Sequence, residues 1–114
     1  MNLVAYIQAQ KQQQTVAVDF DGVLAEHETE WHESKIGSPI QDGLRLLTQL
    51  QKKGYAVVVL TARKDTKTVR TWLKKQGFQL PVTNTKPPAV AYVDDRAVRP
   101  GSLAETLSQI EELR

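Results

Sequence analysis

The chain contains no cysteine, which excludes disulfides, thiol catalysis and cysteine-based zinc sites. That absence agrees with a reducing cytoplasm, the expected location. No apolar run approaches the roughly 20 residues needed to cross a bilayer, so no membrane partner is expected. The opening Met1-Asn2-Leu3-Val4-Ala5-Tyr6-Ile7-Gln8 carries neither a basic leader nor a small-residue cleavage site, so it does not resemble a secretory signal. Repeats, low-complexity tracts and internal linkers are also missing. What remains is 114 residues with 40% apolar and 25% charged side chains. That is one globular domain spanning 1–114, long enough for one core and too short for two.

Net charge is only +2, but it is segregated. From Asp19 to Asp42 seven acids face one base, Lys35. From Arg45 to Arg99 twelve bases face three acids, Asp65, Asp94 and Asp95. A basic half suits an anionic partner, either a phosphoester or nucleic acid. It equally suits a solvated helix face bearing Lys64, Lys67, Arg70, Lys74 and Lys75.

Three apolar, β-branched runs read as buried strands: Thr15–Val18, Tyr55–Val59 and Val90–Val93. A short strand is expected near Phe78–Val82. Residues 2–11 suit a short helix. Ser38 is a credible N-cap, with Pro39 in the first turn, for a helix carrying Ile40, Leu44, Leu47 and Leu50 and stopping at Gly54. Another helix should run from about Asp65 to Gln76 with Val69, Trp72 and Leu73 inward, ended by Gly77. A last one should follow Pro100-Gly101-Ser102, with Leu103, Leu107, Ile110 and Leu113 inward. This alternation predicts an α/β, three-layer Rossmann-like fold: a mostly parallel sheet with helices on both faces. Ligands of such sheets bind beyond the carboxyl ends of the strands.

The chemistry-bearing residues gather at those ends. Asp19-Phe20-Asp21-Gly22 follows the first strand, Leu60-Thr61-Ala62-Arg63 the second, and Asp94-Asp95 the last, with Lys86 ahead of it. Four carboxylates in one crevice repel each other unless a cation sits among them. Magnesium takes oxygen ligands and keeps several waters, so two or three protein oxygens suffice. Of the first pair, one carboxylate can attack phosphorus while the other gives and takes a proton. Gly22 lets the chain turn sharply after them. Thr61 can donate to a phosphoryl oxygen, and Lys86 can neutralise charge on the transferring group. Arg63 and Arg96 either fork a substrate phosphate or form salt bridges with Asp65 or Asp95.

Asp19-Phe20-Asp21-Gly22-Val23-Leu24, Val59-Leu60-Thr61, Lys86 and Tyr92-Val93-Asp94-Asp95 resemble the four ordered motifs of the haloacid dehalogenase-like hydrolase superfamily, over about Thr15 to Arg96. The resemblance implies strand order 3-2-1-4 and Asp19 as a nucleophile acting through an aspartyl-phosphate. It implies Asp21 as general acid/base, and magnesium held by Asp19, the Asp21 carbonyl and Asp94 or Asp95. An acid at Asp21 implies phosphatase or phosphotransferase chemistry, since dehalogenases lack one there. The Leu60–Arg63 and Tyr92–Arg96 segments are also similar to the 3′-phosphatase domain of polynucleotide kinases. The stretch Val82–Ala89 is similar to small bacterial and phage proteins of the superfamily.

Only about fifteen residues, Ala25–Pro39, separate the first motif from the next helix, so a short flap is expected instead of a cap domain. An open site suits large substrates such as nucleic-acid ends or phosphoproteins, and equally a small ligand covered by a partner subunit of a homo-oligomer. With the basic helix it favours a nucleotide or a nucleic-acid end over a sugar phosphate. In the flap, His27, Glu28, Glu30, Trp31, His32 and Glu33 are either substrate contacts or a plain solvated surface, and they make a poor zinc site. The expected function is magnesium-dependent hydrolysis of a phosphomonoester. The rival is a non-catalytic phosphate- or metal-binding module.

Overall fold

β-branched residues crowd a helix but pack well on a pleated surface, and the Val-rich runs form the sheet. In the computed structural model, residues 14–27, 32–33, 35–93, 107–108 and 110–111 are described. Four strands, β1 (Thr15–Asp19), β2 (Ala56–Leu60), β3 (Val82–Thr83) and β4 (Ala91–Val93), pair in parallel in the order β3-β2-β1-β4. The fold is α/β and Rossmann-like, in the expected strand order. The third strand is only two residues long and starts later than Phe78.

Register determines which side chains share a face. Val16 lies opposite Val57 and Ala91, and Val18 opposite Val59 and Val93. All six are buried. Against them pack α1 (Gln41–Lys52), through Leu44, Leu46, Leu47 and Leu50, and α2 (Thr66–Lys75), through Val69 and Leu73. The steps β1 to β2 and β2 to β3 run in the same direction, so right-handed crossovers put both helices on one face. Leu107 and Ile110, in the described turns of the final helix, join that core, and Lys53 pairs with Glu111 at 3.6 Å. The opposite face carries Ala17 level with Val58 and Tyr92. The helices described so far cover one face; the helix expected over 2–11 lies outside the described residues, as do Leu103 and Leu113. Among the described residues, no helix is long and apolar enough to cross a membrane.

The start of α1 differs from expectation. Its N-cap is Ile40, extended at φ −95° and with no side-chain cap bond. Ser38 and Pro39 are drawn instead into the flap stem, where Ser38 O accepts from Glu26 N at 2.8 Å and Pro39 bridges Ala25. Pairing the two stems satisfies backbone groups that a Ser38 cap would have left open. Gly43 permits the close approach behind this: a Cβ there would collide with the Val23 carbonyl oxygen.

Candidate active site

The carboxyl end of β1 turns abruptly. Phe20 drops into the core, and its carbonyl collects the N–H groups of Val23, Leu24 and Ala25 at 3.4, 2.9 and 3.1 Å. Gly22 has φ +92°, a conformation other residues resist, and its N–H donates to Ala25 O at 2.8 Å. Gly22 thus makes the sharp turn expected of it, with its backbone N–H engaged inside that turn.

Asp19 closes β1, half-buried and level with Leu60. Two residues on, Asp21 is buried and faces the loop after β2. There Arg63 is only 2% exposed, and its guanidinium meets five acceptors. Nε and Nη2 donate to Asp21 Oδ2 and Oδ1 at 3.1 and 2.9 Å. Nη1 donates to the His32 and Glu33 carbonyls at 2.8 and 2.7 Å, and Nη2 also to the Lys35 carbonyl at 3.0 Å. Five donors is all a guanidinium has. Of the two expected roles for Arg63, the ion pair is the one formed, and its partner is Asp21 instead of Asp65. Its donors are committed inside the protein, away from a substrate phosphate.

The tie is reciprocal. Glu33 sends its Oε1 back to the main-chain N–H groups of Lys64 and Asp65, at 2.5 and 2.9 Å. The flap is thus pinned at His32, Glu33 and Lys35 by Arg63 and by the Glu33 side chain, and at its stem by the pairing of Glu26 with Ser38 and of Ile40 N with Leu24 O. Nothing in the sequence singled out Glu33 for this; a lone Glu in a charged loop carries no local signal. Asp65 is engaged as the N-cap of α2. The side-chain bond from Thr68 Oγ1, then the Thr68 N–H, hold its carboxyl below the ordinary aspartate value of 3.8, with lesser help from Lys67.

Thr61, also buried, accepts the Arg63 N–H at 3.0 Å. Its hydroxyl so shapes the loop that carries Arg63, and its O–H is still able to donate. Lys86 is exposed, with Nζ 4.5 Å from the centre of the Tyr92 ring, a favourable cation–π geometry. Tyr92 is fixed in turn by donating from its hydroxyl to the Pro87 carbonyl. Alternation along the strands places Ala17, Tyr92 and Asp19 on one sheet face, so the Lys86 ammonium sits on the Asp19 side. Asp94, Asp95 and Arg96 lie outside the described residues, as do Glu28, Glu30 and Trp31. Among the described residues, no three carboxylate or imidazole groups converge as a metal site.

Together these features define a class: a Rossmann-like α/β protein with a carboxylate pair at the end of its first strand and a flap bolted over the neighbouring loop. The fold is similar to that of a conserved protein coded by a locus of Bacteroides thetaiotaomicron. The TM-score is 0.70 and identity 24%, over 88% of this chain and 91% of that one. At that identity the likeness concerns the fold alone. No protein-family model matches the chain, and no curated protein matches it either.

Proposed function

We propose that the protein is a magnesium-dependent phosphomonoester hydrolase of the haloacid dehalogenase-like type, acting on a nucleotide or a nucleic-acid end. One observation carries the reading: Asp21 is held in a single buried pose, two residues beyond Asp19, at the sheet end where Thr61 also lies. A carboxylate fixed beside a second carboxylate is the arrangement that nucleophile and proton-transfer roles require.

In this reading an Asp19 oxygen attacks phosphorus, forming the aspartyl-phosphate as the ester P–O bond breaks. Asp21, in its protonated form, gives the proton to the departing oxygen and returns to the carboxylate that Arg63 holds. It then takes a proton from water, whose oxygen attacks phosphorus and releases phosphate from Asp19. Arg63 occupies one lone-pair direction on each Asp21 oxygen and leaves others for these transfers. The Thr61 hydroxyl donates to a phosphoryl oxygen, and the Lys86 ammonium, on its flexible stem, offsets charge there.

The donors for a cation are all oxygens, as magnesium prefers: Asp19, the Asp21 carbonyl, and Asp94 or Asp95. β4 ends at Val93, level with Val18, one residue before that last pair. Bound magnesium would screen the carboxylates and draw charge from the phosphoryl oxygens.

The test is hydrolysis of p-nitrophenyl phosphate with and without magnesium, wild type beside Asp19→Asn, with melting curves for both. Turnover needing both magnesium and Asp19, with the melting temperature retained, is expected. Activity that survives Asp19→Asn removes the nucleophile assignment. A second reading, a non-catalytic binding module, is favoured by the engagement of both Asp21 oxygens with Arg63. It predicts magnesium binding without turnover of any ester.

A further inference from the structure

A groove of about 420 Å³ runs along the seam between the flap and α2, lined by Ile36, Lys67, Thr68, Thr71, Trp72 and Lys75. Its chemistry is divided. Ile36 and Trp72 supply apolar walls, each half-buried. The Thr68 and Thr71 hydroxyls donate within the helix and its cap, to Asp65 Oδ2 at 2.7 Å and the Lys67 carbonyl at 3.0 Å. The polar capacity of the groove therefore rests on two exposed ammonium groups, Lys67 and Lys75, eight residues apart on one side of α2. Neither forms a salt bridge among the described residues. No acidic residue occurs between Asp65 and Asp94, so the charges α2 itself carries are all positive. The Asp65 and Glu33 carboxylates lie at its N-terminal end, engaged by Thr68 and by the Lys64 and Asp65 amides.

Trp72 packs against the core as expected, its ring edge-on to the buried Phe20 with centroids 5.1 Å apart, and the half-exposed remainder also borders the groove. Phe20 is the residue between Asp19 and Asp21, so one aromatic pair separates the groove from the carboxylate loop. Lys67 and Thr68 lie in the first turn of α2, which begins just past the carboxyl end of β2. The groove thus starts at the sheet end that holds Asp19 and leads away from it.

An aromatic and aliphatic trough with cations spaced along its rim matches single-stranded nucleic acid, whose bases stack on apolar faces while its phosphates meet lysines. We infer that this groove seats the strand leading to the phosphorylated end, so that the substrate is the end of a single-stranded nucleic acid. The inference rests on the phosphatase reading for the end group, but not for the groove.

The test measures binding separately from hydrolysis. A labelled DNA strand of about ten nucleotides is titrated by fluorescence anisotropy into the Asp19→Asn chain and the same chain carrying Lys67→Glu and Lys75→Glu. Two phosphates neutralised give a slope of log affinity against log salt of about −1.4 for a single strand. The double charge reversal should flatten that slope and weaken binding at least about tenfold at about 50 mM salt. Arg70→Glu with Lys74→Glu, on the other flank of α2, should weaken it less. Circular dichroism checks folding, and Lys67→Gln with Lys75→Gln replaces the reversal if it unfolds. No strand binding, or binding indifferent to Lys67 and Lys75, overturns the inference even if esters are hydrolysed. Binding that depends on both lysines, with no ester hydrolysed by the wild type, keeps the groove and removes the phosphatase reading.

Discussion

Replacing Arg63 with Met keeps much of the side chain's bulk and removes all five of its donors. What remains is the Asp21 carboxylate, on a side chain 11% exposed, with its cationic partner gone. Breaking a buried ion pair from one side costs about 3–5 kcal/mol, because the surviving charge stays buried. The three flap carbonyls add little, since the flap backbone can turn to water once released. A loss near the lower end, about 3–4 kcal/mol, is therefore expected, a large share of the roughly 5–15 kcal/mol that holds a domain of this kind together. Urea unfolding of four proteins tests it: wild type, Arg63→Met, Asp21→Asn and the double variant. Asp21→Asn alone should destabilise, because an amide cannot accept both guanidinium bonds. In the Arg63→Met background the same change should stabilise, because it removes the stranded charge. The sign of the Asp21→Asn effect thus inverts between backgrounds. A cost below about 1 kcal/mol for Arg63→Met, typical of an exposed pair, would refute the reasoning. So would an Asp21→Asn effect of the same sign and size in both backgrounds.

Glu33→Ala removes the other half of the clasp. Hydrogen exchange at the Lys64 and Asp65 amides should accelerate, with the β1 and β2 amides unchanged; unchanged protection at Lys64 would mean that Glu33 does not hold the loop. Gly43→Ala should lower stability by about 1–3 kcal/mol despite alanine's better helix propensity, because the new methyl meets the Val23 carbonyl; a stabilised variant in urea unfolding would contradict that contact. Asp65→Asn should lower stability at neutral pH. The folded-state carboxyl sits below 3.8, so its contribution is present above that value and fades as pH falls through the lowered one. Melting curves from about pH 7 to about pH 2 should show the gap to wild type closing in acid; a constant gap would mean that the charge on Asp65 is irrelevant.

Some of this was legible because it is local. The runs Thr15–Val18 and Tyr55–Val59 signal strands through β-branching, which acts within a residue and its neighbours. The helix from about Asp65 to Gln76 could be bounded because its cap, Asp65, and its terminator, Gly77, lie beside it in the chain. Ser38 carried an equally good local signal and failed, because the two flap stems pair across Glu26 and Ser38. Trp72 had helical core spacing, but spacing does not say which part of a large ring is left open.

The sequence by itself determined an α/β chain whose carboxylates, hydroxyl and lysine fall at strand ends, since strand propensity and alternation are properties of neighbouring residues. Only the tertiary structure decided where Arg63 goes. Its acceptors lie 28 to 42 positions away along the chain, on Asp21 and on the His32, Glu33 and Lys35 carbonyls. A guanidinium takes whichever acceptors the fold brings within about 3 Å, and backbone carbonyls in a loop leave no trace in side-chain pattern. The clasp of Arg63, Asp21 and Glu33 is therefore a product of folding, assembled from residues that carry no mark of one another in the chain.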